Sequence, residues 1–225
     1  MTKTISFIGT GKMAAALISC IYKKRLAKEI IASDHNEENL RKIKSKFKNI
    51  RTTTDNRDAA RNSDIVFICV KPQDIDIVLN EIKNEIKNSL IASIAAGIKI
   101  KHIENIVGKK RIIRVMPNIN CLVGEMAAGF SAGKYATKED IKEVEKLLNS
   151  AGTSYFVKEE QLDAVTAVGG GSAPAFFAYF IEAIAKEGMK NGLSKEISYG
   201  LAAKAALGTG KLILEKKIMP KELIK

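Results

Sequence analysis

Cysteine and histidine are scarce in this chain, three and two among 225 residues. Cys20, Cys69 and Cys121 stand far apart, form no CxxC pair and have no histidine nearby to complete a metal set. They read as reduced, buried small hydrophobes. His35 and His102 are equally isolated, which argues against a metal enzyme and against a Ser/His or Cys/His nucleophile system. Long apolar runs are missing too. The strongest, Ala173 to Ile181 followed by Glu182 and Ala183 to Ala185, is short and interrupted for a membrane-spanning helix, so no membrane is expected and a buried helix is. The first apolar run is a few residues of strand rather than the core of a signal peptide, and the expected location is the cytoplasm. No internal repeat and no low-complexity linker interrupts the chain.

Negative charge is the minority sign. Lys and Arg number 37 against 25 acidic residues, a net +12. The excess raises the question of nucleic acid. Yet the cations are spread along helix faces, as in Arg41, Lys42, Lys44, Lys46 and Lys48, without interleaved aromatics or a nucleic-acid-reading motif. A solvated basic surface and no nucleic-acid partner is the reading. The same field favours anionic ligands.

What is present is a glycine turn in a telling place. Gly9-Thr10-Gly11-Lys12-Met13-Ala14 follows the apolar run Thr4 to Ile8 and precedes the helical pattern Ala15 to Tyr22, with Asp34 twenty positions after Ala14. A lone GxGxxG/A says little, but strand, glycine turn, helix and a later acid together match a dinucleotide-binding fingerprint. The first glycine permits the tight turn, the second lets a pyrophosphate approach the backbone, and Ala14 keeps the helix close to the sheet. The helix N-terminus offers unpaired N–H groups to phosphate. An ordinary tight β-to-α connection without ligand is the bland alternative.

Strand and helix signals alternate from residue 3 to about 157. Strands are expected at 5–8, 29–33, 64–70, 90–94, 111–115, 126–132 and 153–157. Helices are expected at 12–24, 36–47, from Pro72 through Ile86, around 99–107, and at 137–149. This order predicts an α/β fold with a Rossmann-type doubly wound parallel sheet. After residue 160 the strand signals vanish, and helices are expected at 160–168, 173–190 and from 195 to 215 or beyond. Phe176, Phe177, Phe180, Ile181 and Ile184 make the second of these apolar around most of its circumference, and the third is rich in small residues. A helix apolar all round needs a partner, which predicts packing against another subunit. The expected domains are residues 1–158, binding dinucleotide, and 159–225, an all-α dimerisation and substrate domain incomplete at its C-terminus.

In an open α/β sheet the ligand lies beyond the carboxyl ends of the strands. Four segments are expected there: Gly9 to Met13, Ser33 to Asn36, Val70-Lys71-Pro72 and Ala95-Ala96-Gly97. Lys71 has the reach for a ribose or phosphate, and Ala95 to Gly97 leave room for a cofactor ring. Asp34 suits a ribose 2′-hydroxyl and so NAD, whereas Lys12, Ser33, His35 and Asn36 offer polar groups for NADP. Both cofactors stay open at this point.

Several segments coincide, in order and spacing, with one family. The glycine turn, Asn56 ahead of Ser63 to Phe67, Val70-Lys71-Pro72-Gln73, Ser93 to Ile98, Arg114-Val115-Met116-Pro117-Asn118 and Leu162 to Thr166 resemble pyrroline-5-carboxylate reductase over nearly the whole chain. The resemblance implies an oxidoreductase of proline biosynthesis that passes a hydride from NADPH, or NADH, to the C=N bond of 1-pyrroline-5-carboxylate, giving L-proline. It also implies a homodimer or higher oligomer interlocked through the helical domain. Cofactor contacts carried over would fall on Ile8, Gly9, Thr10, Gly11, Lys12 and Met13, on Asp34, Asn36 and Asn56, on Cys69, Val70, Lys71 and Pro72, and on Ala95, Ala96 and Gly97. Glu159 occupies a substrate-side position, with a simple helix-start acid as the alternative. No residue is singled out as a catalytic acid, base or nucleophile.

Two departures accompany the resemblance. Gly169-Gly170-Gly171-Ser172-Ala173-Pro174-Ala175 is one residue longer than the family's turn, with Ser172 expected to cap the next helix and Pro174 to sit in its first turn. The chain also ends at Lys225, ahead of the family's serine-, glycine- and threonine-rich substrate loop. The chemistry implied needs no nucleophile. A protonated cyclic imine is already electrophilic, so the protein mainly holds the ring about 3–3.5 Å from the nicotinamide. Another small-substrate NAD(P) reductase and a non-catalytic NAD(P)-binding homologue are the competing readings.

Overall fold

The computed structural model describes residues 3–224. The chain begins β1 (Lys3–Ile8), α1 (Lys12–Lys23), β2 (Ala27–Ser33), α2 (Glu37–Lys46), β3 (Arg51–Thr53), α3 (Asn56–Arg61) and β4 (Ile65–Ile68). It continues through α4 (Ile75–Ile82), β5 (Leu90–Ser93), α5 (Ile100–Val107), β6 (Ile112–Met116), β7 (Met126–Ala132), α6 (Lys138–Leu148) and β8 (Gly152–Phe156). The helices α7 (Leu162–Val168), α8 (Ala173–Lys190), α9 (Lys195–Lys216) and α10 (Pro220–Leu223) complete it.

All eight strands join one sheet in the order β3-β2-β1-β4-β5-β6-β7-β8. Every pairing from β3 to β6 is parallel. The parallel expectation stops there: β7 runs antiparallel to β6, and β8 lies parallel to β7. Strand alternation sends side chains to two separate cores. Ile5, Phe7, Ile65, Phe67 and Ile113 face α1, α2 and α6 through Leu17, Ile18, Leu40, Ile43, Val144 and Leu147. Ile8, Val66, Ile68, Ile91 and Ile112 face α3, α4 and α5 through Ala60, Leu79, Ile82 and Ile103. A sheet covered on both faces has near-continuous apolar strands, which is why Ile65–Ile68 is buried throughout. Phe7 and Phe67 are register partners on β1 and β4, and their rings stack at 4.9 Å.

Two elements escape a sequence reading. β3 is three residues long, and α3 is the polar hexapeptide NRDAAR. Pairing with β2 makes the first, and Asp55 makes the second by accepting from the N–H groups of Arg57 and Asp58. The helix expected through Ile86 ends at Ile82, although Ile86 remains fully buried in the following turn.

The described chain divides into two compact units, residues 1–171 and 172–225. The first reaches past α7 because α7 lies on β7: a Cβ at Gly129 would stand 2.8 Å from both Val165 methyls. In the second unit α8 packs on α9, joined by a hydrogen bond from the Tyr199 hydroxyl to Glu182. Ser172 occupies the N-cap of α8, but its side chain accepts no bond from the helix, contrary to the capping expectation; Pro174 does sit in the first turn. α8 carries Phe176, Phe177, Tyr179, Phe180 and Ile184 on the surface, 57–74% exposed, so the expectation of a buried helix fails for this chain alone. On length and composition the segment Glu159–Lys190 does qualify to cross a membrane, its most apolar 18-residue window having a mean hydropathy of 1.4. It is nevertheless broken between α7 and α8 at Gly169–Ser172.

Candidate functional site

The carboxyl ends of β1, β2 and β4 meet around a cavity of about 630 Å³. Ile8, Gly9, Thr10, Gly11, Asp34, Asn36, Asn56, Cys69, Val70 and Lys71 line it, joined by Asp74, Ile77, Val78 and Glu81. Lys12, Met13, Pro72, Ala95, Ala96 and Gly97 are not in the lining. Lys12 and Met13 open α1, Pro72 opens a 3-10 turn before α4, and Ala95 to Gly97 follow β5, the next strand over.

Gly9 has φ of +86°, and a Cβ there would stand 3.0 Å from the Cys69 carbonyl carbon and oxygen and from Val70 Cγ1. Only glycine suits both conditions. Its N–H donates to Ser33 O at 2.8 Å, while Cys69 N–H donates to Ile8 O at 2.8 Å, so the turn is seated between β2 and β4. α1 then starts at Gly11 without a side-chain cap and without an acid in its first turn. By contrast Asn36, Asp55 and Thr137 cap α2, α3 and α6. A Cβ at Gly11 would meet nothing within 4 Å. The result is an uncapped helix end whose N–H groups and positive partial charge face open space, a geometry suited to an anion such as a pyrophosphate.

Asp34 is 7% exposed and heavily bonded. Its Oδ2 accepts from Thr10 N at 2.9 Å, Thr10 Oγ1 at 2.8 Å and Asn39 Nδ2 at 3.1 Å, and its Oδ1 accepts from Asn36 N at 2.9 Å. Burial by itself would raise its pKa, but the N–H groups of Asn36 and Thr10, the Thr10 hydroxyl and the Asn39 amide together hold it below the usual value. Asn56, the first residue of α3, accepts from Ser33 Oγ at 2.7 Å and donates to Glu81 Oε2 at 2.8 Å.

Glu159 sits away from this cavity. Its Oε1 accepts from Ile100 N at 2.7 Å, capping α5 from 59 residues away, and lies 3.4 Å from Arg114, a buried arginine on β6. Asn118 is buried and bridges two backbones, donating to Gly169 O at 2.7 Å and accepting from Ala127 N at 3.2 Å.

All three cysteines are unpaired. Only Cys121 is buried; Cys20 and Cys69 are half-buried, a correction to the expectation of three buried thiols. Desolvation drives the Cys69 thiol well above its ordinary pKa, and burial, with the adjoining Cys20, pushes Cys121 up to about 12. Neither is an activated nucleophile. Among the described residues no group of three or more His, Cys, Asp or Glu side chains is placed to hold a metal ion.

Glu81 and Ile77 carried no functional signal in the sequence, and Asn118 entered only within the Arg114–Asn118 segment of the resemblance, with no role assigned. Glu81 and Ile77 read as ordinary members of an amphipathic helix, and the strand order alone turns them toward the cavity.

Residues 4–97 match the family model described as NADP oxidoreductase, coenzyme F420-dependent, and residues 159–225 match that of pyrroline-5-carboxylate reductase dimerisation. The pyrroline-5-carboxylate reductase of Methanosarcina acetivorans is 40% identical over 223 residues, 97% of this chain and 82% of the relative. A solved pyrroline-5-carboxylate reductase from Coxiella burnetii superposes with a TM-score of 0.93 at 30% identity, covering 99% of this chain and 84% of that one. The Plasmodium falciparum enzyme, solved with NADP bound, gives 0.88 at 30% identity over 98% and 82%. With this likeness running through both the cavity-forming and the helical unit, the chain belongs to the pyrroline-5-carboxylate reductase family.

Proposed function

We propose that this protein reduces 1-pyrroline-5-carboxylate to L-proline with NADPH, NADH being the second candidate, as a step of proline biosynthesis. The observation that carries cofactor binding is the uncapped start of α1 at the Cβ-free Gly11, opening on a cavity walled by Gly9, Asp34 and Asn56. The substrate follows from family membership, and NADPH is supported by the NADP held in the Plasmodium falciparum structure.

In this reading the N–H groups at Gly11, Lys12 and Met13 take the pyrophosphate, with Ile8, Gly9 and Thr10 forming the floor of the turn. Asp34, Asn36 and Asn56 surround the adenosine ribose, and Lys12 and Asp34 set the choice between NADPH and NADH. Cys69, Val70, Lys71 and Pro72 flank the cofactor beyond β4, where Lys71 supplies an ammonium. Ala95, Ala96 and Gly97 leave room for the nicotinamide beyond β5. The nicotinamide supplies the hydride. The chain's own work is placement: the imine carbon is held near the ring and the substrate carboxylate is fixed. Glu159 is the substrate-side candidate through Oε2, since Oε1 already serves Ile100 and Arg114.

We assign the dinucleotide-binding domain to residues 1–158 and the helical domain to 159–225, supported by the dimerisation match starting at residue 159. The exposed aromatics of α8 supply the apolar face for a homodimer or higher oligomer. A cytoplasmic location completes the reading, in keeping with three unpaired thiols.

The direct test mixes the complete protein with 1-pyrroline-5-carboxylate and each reduced nicotinamide, following cofactor oxidation and proline formation. Substrate-dependent oxidation of at least one cofactor is expected. An intact dimer that turns over neither overturns the assignment.

A further inference from the structure

The hydrogen bonds around Asn56 form a line that crosses three elements. Ser33 Oγ on β2 donates to Asn56 Oδ1 at 2.7 Å, and Asn56 Nδ2 donates to Glu81 Oε2 on α4 at 2.8 Å. An ionised carboxylate only accepts, whereas a hydroxyl both donates and accepts. Ser33 would therefore tolerate either face of the amide, but Glu81 tolerates one. Were the amide turned over, Oδ1 would meet the carboxylate, acceptor against acceptor. Glu81 thus dictates which way Asn56 faces, and Asn56 in turn obliges Ser33 to donate.

The three residues stand where this matters. Asn56 and Glu81 line the same cavity as Asp34, which directly follows Ser33. Glu81 is half-buried on the cavity side of α4, and its helix neighbours Ile77 and Val78 add apolar wall. Among the described residues Glu81 forms no salt bridge, in contrast to Glu85, which pairs with Arg61 at 2.8 Å.

We infer that Glu81 is a positioning residue for the adenosine half of the dinucleotide: it locks the Asn56 amide so that the remaining amide proton and lone pair meet the ribose in one fixed sense. The inference rests on the cofactor reading above. Glu81→Gln is nearly isosteric, but its amide both donates and accepts, so the lock is released while the packing stays.

The test measures equilibrium binding of NADPH, of the fragment 2′,5′-ADP and of the reduced mononucleotide of nicotinamide to the complete protein and to Glu81→Gln. Loss of the fixed amide orientation is expected to weaken NADPH and 2′,5′-ADP by about 3- to 10-fold. The nicotinamide fragment should bind unchanged, and the melting temperature should stay that of a Glu85→Gln control. In an Asn56→Ala background the Glu81→Gln effect should vanish, because its route is gone. Equal binding of 2′,5′-ADP by Glu81→Gln, or an undiminished effect in the Asn56→Ala background, overturns the inference. Wild-type protein that binds neither NADPH nor NADH overturns the cofactor reading instead, so the two failures are distinct.

Discussion

Thr10 gives both its backbone N–H and its hydroxyl to a single oxygen of Asp34, at 2.9 and 2.8 Å. The acid that follows β2 is therefore tied to the glycine turn that follows β1. One carboxylate fixes the loop that would meet the pyrophosphate and, through Asn36 N, the loop beside the ribose.

This bonding gives a pH signature. Asp34 has a folded pKa below its ordinary value despite burial. Its contribution to stability is therefore complete above the unfolded pKa, near about 4, and is lost as pH falls through the lowered folded value. Urea unfolding of Asp34→Asn should show a smaller acid-dependent loss than wild type below about pH 4. Asp34→Ser should also shift the NADH/NADPH ratio of kcat/KM. An unchanged ratio would remove Asp34 from cofactor choice.

Gly9→Ala introduces a Cβ at φ +86°, 3.0 Å from the Cys69 backbone. A non-glycine residue forced into that region costs about 1–3 kcal/mol. The expected result is a lowered urea midpoint together with weakened NADPH binding, since the turn itself must shift. Gly11→Ala provides the contrast. Its Cβ meets no protein atom within 4 Å, so stability should hold while NADPH affinity falls.

Glu159→Ala strips a cap from α5 and a partner from Arg114. With the Glu159 side chain 29% exposed and the arginine contact at 3.4 Å, the expected loss is about 1–2 kcal/mol, discounted for solvent. Glu159→Gln keeps an acceptor for Ile100 N–H and should recover most of that stability. If the Gln variant nonetheless raises KM for 1-pyrroline-5-carboxylate, Glu159 has a substrate role beyond the scaffold. An unchanged KM leaves it purely structural.

On α8, Phe176 and Phe180 lie one helical turn apart, 62% and 64% exposed. Charging this face by the double substitution Phe176→Glu and Phe180→Glu should convert the oligomer to monomer in sedimentation velocity, with NADPH affinity little altered. A dimer that survives the change places the subunit contact elsewhere.

The helices and strands that a periodic reading finds are those whose apolar residues recur at a fixed spacing and are numerous enough to register. β1, β4, α1 and α8 are of this kind, and the 173–190 helix has the bounds expected. Where few apolar residues are involved the signal is gone. β3 exists because β2 pairs with it and α3 because Asp55 caps it, and both are tertiary or local polar events rather than patterns. The antiparallel return of β7 is likewise invisible, since strand direction leaves no mark on alternation.

The glycine turn, the alternating architecture and the family are legible in the chain before it folds, because they reside in residue identity at short spacing: Gly9, Gly11 and Ala14 between a strand and a helix, then Asp34. Tertiary structure alone decided that Ser33, Asn56 and Glu81, 23 and 25 residues apart, form one hydrogen-bonded line, and that Glu159 reaches back 59 residues to cap α5. Hydrogen bonds depend on a few tenths of an ångström and on direction. Such geometry is fixed only once the sheet order has brought distant segments to the same edge.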